Sequence, residues 1–210
     1  MATVERSFPE GFEKCVDFHG HICPGLAIGF QAARVLMEGL GVRRAGDEEL
    51  LAFVETDACG ADAIQVMTGC TFGKGNFIFR DFGKHAFTLA ARRGGKAVRV
   101  CLRPDAVEAA PEHRALAKKV QEDEASREER TRFRELQRKG AQKILEADAG
   151  SLFRIEEISL EIPPKARIGK SGPCDLCGEP TNIDRVREID GQKVCIPCAR
   201  DQTVEPKVNR

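Results

Sequence analysis

Two CxxC pairs near the C-terminus constrain this chain more than any other feature: Cys174-x2-Cys177-x17-Cys195-x2-Cys198. Their spacing is that of a four-cysteine zinc site. Each CxxC turn puts two thiolates on one side of a small backbone loop, and two such turns complete a tetrahedron with Zn–S distances of about 2.3 Å. Four thiolates close the coordination shell, so the expected zinc is structural. A segment of about 40 residues with few large apolar side chains needs that metal in order to fold. A thioredoxin-like redox centre would be a single CxxC within a βαβ unit, which two pairs at metal spacing do not match.

PCDLCGE has the form of a zinc knuckle, and VCIPCARDQ sets Cys195 and Cys198 at a helix start, as in treble-clef fingers. Upstream, Pro163-Pro164 opens a basic, glycine-containing linker, PPKARIGKSG. Pro and Gly there set the expected boundary, a core domain over 1–164 and a finger domain over 165–210. At 210 residues and 23.1 kDa the chain has room for one ordinary core beside this appendage, not for two. Lys and Arg number 33, as do Asp and Glu, which removes the broad cationic field of a nucleic-acid or membrane-surface protein. The finger region is also near neutral once a four-thiolate zinc is counted, so protein contact or dimerisation is expected of it and nucleic acid is not. No apolar run reaches the 18 or so residues of a membrane span, and MATVERSFPE lacks the apolar centre of a signal peptide. The expected compartment is the cytoplasm, where nine cysteines bind metal, react or pack.

The periodicity of the first half predicts a helix from Pro24 to Leu40, a strand from Leu50 to Thr56, a two-turn helix over ADAIQVMTG and a strand over Asn76–Phe82. HAFTLAARR and KAVRVCLR flank Gly94-Gly95 and predict an antiparallel hairpin. Over residues 104–150, 21 of 47 residues are charged and nearly cancel. That composition predicts two exposed helices or one broken helix, a solvated arm braced by Glu128 with Arg132 and Glu135 with Lys139. SLFRIEEISLEIP returns to a strand pattern.

A second chemical constellation lies upstream. In FHGHICPG, His19, His21 and Cys23 alternate, and an extended stretch would project them to one side. Cys23 precedes a helix whose dipole favours thiolate, and thiolate with neutral imidazole is a transition-metal donor set. Cys59 and Cys70 each sit beside glycine in a loop at an element end, where separate segments converge, and together could complete the site. Cys15 and Cys101 have no ligand neighbours and read as packing residues. GCTFGKG fails as a Walker loop, with three residues between its first two glycines and Gly75 in place of the Mg-binding hydroxyl. Its amides and Lys74 could still meet an anion or a pterin-like ligand.

Three segments, FHGHICPGLAIG, VETDACGADAIQVMTGCTFGKGN and FRDFGKHAF, resemble the FmdE family, which is named for a component of formylmethanofuran dehydrogenase. The CxxC pairs are similar to the finger carried by some of its members. The resemblance implies an α+β fold: an antiparallel-containing sheet with packed helices, plus a small treble-clef-like zinc finger and a homodimer. It also implies that His19, His21, Cys23, Cys59 and Cys70 are the core metal positions, with Asp57, Asp62 and Lys74 as supporting or substrate-contact groups. In the family's namesake enzyme the redox chemistry belongs to a separate molybdenum or tungsten pterin subunit. The expected function is therefore that of a metal-binding accessory or subunit-like protein, with zinc in the finger and a second transition metal, zinc by preference, in the core. Two alternatives remain open from the residues alone. One is a metal-dependent enzyme of unnamed substrate and the other a thiol redox protein, with Cys23, Cys59, His19 and Lys74 as their catalytic candidates.

Overall fold

The computed structural model describes residues 8–165 and 169–203. Residues 1–7 of the N-terminal decapeptide, 166–168 of the expected linker and 204–210 of the finger domain lie outside the described residues. The chain forms two compact units that divide after Lys165.

The first unit is α+β. It opens with a helix that the periodicity did not predict, α1 (Phe12–His19), which buries Phe12 and Cys15 one turn apart. Burial pushes the Cys15 thiol up to about 11, in keeping with a packing role. Gly20 ends α1 with φ +91°, a left-handed geometry that costs a side-chain-bearing residue about 1 kcal/mol or more. His19 is thus the last residue of a helix and not part of an extended stretch. Next comes α2 (Pro24–Leu40), with Pro24 in its first turn. Nine of its residues are buried, more than one apolar stripe would cover, so α2 is the central helix of the unit.

A mixed sheet of order β2-β1-β3-β4-β5 backs it. β1 (Leu50–Val54) and β2 (Phe77–Phe79) are parallel and joined through α3 (Gly60–Thr68). The expected long strand over 76–82 yields only three residues, because β1 ends at Val54. Its carbonyl takes the Arg80 N–H at 2.8 Å, and no further β1 backbone remains to pair. β3 (Ala86–Ala91), β4 (Lys96–Leu102) and β5 (Phe153–Ser159) complete the sheet in antiparallel fashion, with Gly94-Gly95 between the first two. One face, with Ala52, Val54, Leu89 and Val100, packs in the main core with α2. Leu51, Phe53, Ala90 and Ala97 on the other are covered by Ile158, Leu160 and Ile162. Arg92 ties that segment down by donating to the carbonyls of Pro163 at 2.6 Å and Glu48 at 2.8 Å.

The charged region forms two helices, α4 (Pro111–Gln121) and α5 (Arg127–Glu146), followed by the single turn α6 (Ala149–Leu152). A capping box of Ser126 and Glu129 starts α5. Arg132 pairs with Glu112 across the helical hairpin, at 2.7 and 2.9 Å, and with Glu135 at 3.3 Å. Glu128 instead accepts from the Ser126 hydroxyl, so in place of the expected Glu128 pair Arg132 takes Glu112 of the neighbouring helix and Glu135 of its own. Nor is the arm solvated throughout, since Ala141, Ile144 and Leu145 are buried. Gln31 of α2 donates its side-chain amide to the carbonyls of Ile144 and Leu145, at 3.1 and 3.2 Å. Carbonyls in the last turn of a helix lack partners within it, and a buried amide satisfies them here.

The second unit runs knuckle, hairpin, helix. β6 (Ser171–Pro173) and β7 (Pro180–Asn182) pair on either side of the first CxxC turn. β8 (Arg187–Ile189) and β9 (Gln192–Val194) pair next, and α7 (Ile196–Thr203) follows Cys195 directly. That order is treble-clef-like.

Candidate metal centres

Three helix ends build the core cluster. His19 is supplied by the C-terminus of α1, Cys23 by the cap preceding α2 and Cys59 by the cap preceding α3. His21 stands in the turn between α1 and α2. One ligand atom from each of these four residues falls within 4.8 Å of the others. His19 Nε2 is 3.8 Å from Cys23 Sγ. A tetrahedral zinc with Zn–N of about 2.05 Å and Zn–S of about 2.3 Å separates such atoms by about 3.6 Å, so the pair is spaced as ligands are. On its far side the same ring places Nδ1 2.7 Å from Asp62 Oδ2. A carboxylate there favours the proton on Nδ1 and leaves the Nε2 lone pair facing the thiol, the usual support for a metal-bound histidine.

Small residues make the convergence possible. A Cβ on Gly29 would lie 2.2 Å from the carbonyl oxygen of Gly60, and one on Gly25 would lie 3.2 Å from Cys59 Cβ. The glycine pair on α2 thus lets the start of α3 come into backbone contact and sets Cys59 beside Cys23. Sequence reasoning passed over these glycines, although Gly25-x3-Gly29 followed by a Cys-Gly pair is a readable close-approach signal.

Electrostatics distinguish the donors. Burial pushes the Cys23 thiol up to about 12, against the pull of the Leu26 N–H that its sulfur accepts at 3.3 Å. A metal entering the core must therefore displace a firmly held proton. His21 is held below the usual imidazole range, first by partial desolvation and then by the neighbouring His19, and so offers a neutral ring.

The remaining candidates lie elsewhere. Cys70 is fully buried and stands outside the cluster. It follows the C-terminus of α3 while Cys59 caps the N-terminus, and nine helical residues at 1.5 Å each hold the two ends about 14 Å apart. Two loop cysteines flanking one helix look equivalent along the chain, but they stand at opposite ends of it. Lys74 lies on the same far side, in the short turn Phe72–Lys74, and donates to the Asp47 carbonyl at 3.2 Å. The glycine-rich loop is pinned by buried Asn76, which accepts from the Thr71 N–H and donates to the Leu50 carbonyl; this is a helix-to-strand connection. Asp57 is exposed in the loop leading to Cys59.

In the second unit Cys174, Cys177, Cys195 and Cys198 bring all four sulfurs within 4.8 Å of one another. Cys177 and Cys195 are 3.9 Å apart, against about 3.8 Å for sulfurs on a tetrahedral zinc. Backbone N–H groups of Cys177 and Cys195 bring the Cys174 thiol down to about 6, which makes it a ready thiolate.

An α+β core with a His/Cys cluster, joined to a four-cysteine finger, is the class of protein that these two units define. Residues 18–154 match the family described as FmdE, molybdenum formylmethanofuran dehydrogenase operon, and residues 167–203 match the prokaryotic dksA/traR C4-type zinc finger. The chain belongs to the FmdE family. A "Probable S-adenosyl-L-methionine-binding protein" of Archaeoglobus fulgidus is 35% identical over 190 residues, which cover 87% of this chain and 50% of that protein. The chain thus spans about half the length of this relative. The crystal structure of a tungsten formylmethanofuran dehydrogenase FmdE-like protein from Syntrophus aciditrophicus is similar with a TM-score of 0.59 and 25% identity, covering 94% of this chain and 95% of that one. No helix among the described residues is long and apolar enough to cross a membrane.

Proposed function

We propose that this FmdE-family chain is a metal-binding accessory protein whose core domain, 1–164, holds a transition metal on His19, Cys23 and Cys59 with His21 as fourth donor. Zinc suits two imidazoles and two thiolates. The finger domain, 165–210, carries a structural zinc on Cys174, Cys177, Cys195 and Cys198. The observation that carries the core reading is the orientation of His19, with Nδ1 on Asp62 and Nε2 turned toward the Cys23 sulfur. A core metal would supply Lewis acidity only to a ligand that enters its coordination shell, while His19, His21, Cys23 and Cys59 would hold it and Asp62 would fix the tautomer of His19.

Membership of the FmdE family and the likeness to the Syntrophus protein support a role beside a molybdenum or tungsten formylmethanofuran dehydrogenase-type enzyme. In that role the protein is a cytoplasmic homodimer that handles metal, cofactor or a partner chain. Metal analysis of chelator-free protein tests the core of the proposal. Two metals per chain are expected, falling to one in Cys59→Ser and to one in Cys174→Ser. A wild-type chain with a single metal favours the thiol redox alternative, and two metals in Cys59→Ser reject Cys59 as a ligand.

A further inference from the structure

The four core donors are not held alike. His19 ends a helix, has an imidazole only 11% exposed and is fixed by Asp62. Cys23 is buried in the N-cap of α2 with its sulfur on the Leu26 N–H. Cys59 is lodged against Gly25 at the start of α3, where a Cβ would already be tight. His21, by contrast, is exposed and sits in the short turn after Gly20. Its ring rests on that of His19, with centroids 4.4 Å apart and planes at 38°, and no hydrogen bond to it is found among the described residues.

From this asymmetry we infer that His21 is an exchangeable donor, so that the core centre takes an outside ligand in its place. The inference rests on the metal-binding reading above. Releasing His21 gives up its metal–nitrogen bond and its ring contact with His19, and the bond to the incoming donor replaces the first; the swing of the ring itself costs little more than a change of rotamer. Releasing any of the other three breaks a buried contact or shifts a helix end. The class of ligand follows from the donors that stay. One imidazole and two thiolates make a soft, formally neutral centre with a divalent ion, and its vacated place suits a small nitrogen or sulfur donor better than a carboxylate. His21 itself is exposed, so an outside ligand need not pass through the buried core to reach the place it leaves. Exchange at one position alters the ligand set without dismantling the site.

Zinc content and Co2+ spectra of the full-length protein test this, with imidazole as the probe ligand. After dialysis against a competing chelator, His21→Ala should keep two metals per chain, with core affinity lowered about tenfold or less. His19→Ala, Cys23→Ser and Cys59→Ser should each keep one. In the Co2+ form of His21→Ala, millimolar imidazole should shift the visible d–d bands, and wild type should need a higher concentration for the same shift. Loss of the core metal from His21→Ala to the same degree as from the other variants overturns the inference, as do d–d bands that imidazole leaves unmoved in both proteins. A wild-type chain binding only one metal is a different result, because it removes the core centre itself and the inference with it.

Discussion

Asp62 shows how one side chain decides what its neighbour can do. Without a partner on Nδ1, the His19 ring could present either tautomer and either face. With the carboxylate 2.7 Å away, the nitrogen toward Cys23 is left as an acceptor. Because Asn can still accept from Nδ1 but carries no charge, Asp62→Asn should weaken core metal binding about tenfold. Asp62→Ala, which removes orientation as well, should weaken it up to about a hundredfold. Competition with a chromophoric chelator measures both, and finger zinc should be retained in each. Equal affinities for wild type and Asp62→Ala would show that the carboxylate does not orient the ring. His19, Asp62 and Cys23 were all visible as candidates in the sequence, but the 43-residue gap between His19 and Asp62 hid the contact that gives them their roles.

At the level of elements, the core centre depends on how closely α2 and α3 approach. Backbone contact at Gly29 and Gly60 leaves no room for a methyl group, and the obstacle is a backbone carbonyl that cannot swing aside. Gly29→Ala should therefore destabilise the first unit by about 3 kcal/mol or more. It should also release the core metal, since pushing α3 away carries Cys59 from Cys23. Thermal unfolding with metal counting reads both effects, and an unchanged melting temperature with two bound metals contradicts the packing argument. Helix, strand and hairpin periods were legible for α2, β1, α3 and the β3–β4 pair. Helix α1 was missed because its eight residues carry only a short apolar pattern, and the alternation of His19, His21 and Cys23 pointed to an extended stretch where Gly20 in fact ends a helix.

On the scale of the whole chain, the two units differ in what holds them. The first buries a large apolar core on α2 and both faces of the sheet. The second buries only Cys174, Val194, Cys195 and Ala199 among its described residues, so half of that core consists of expected metal ligands. Replacing Cys174 with Ser should open residues 169–203 to limited proteolysis while the thermal transition of the first unit stays within about 2 °C of wild type. Loss of both units together would show that the finger metal supports more than the finger. Local spacing was enough to define the finger, because its four ligands lie in two short turns and a metal tetrahedron is a local constraint. The sequence likewise determined which residues could serve as donors in the core. Only the tertiary structure decided which ones meet: it took Cys59 and rejected Cys70, because α3 holds them at opposite ends, and it moved Lys74 to the far side of the same helix. Donor chemistry is a property of single residues, whereas convergence depends on helix length and on how near two backbones can come.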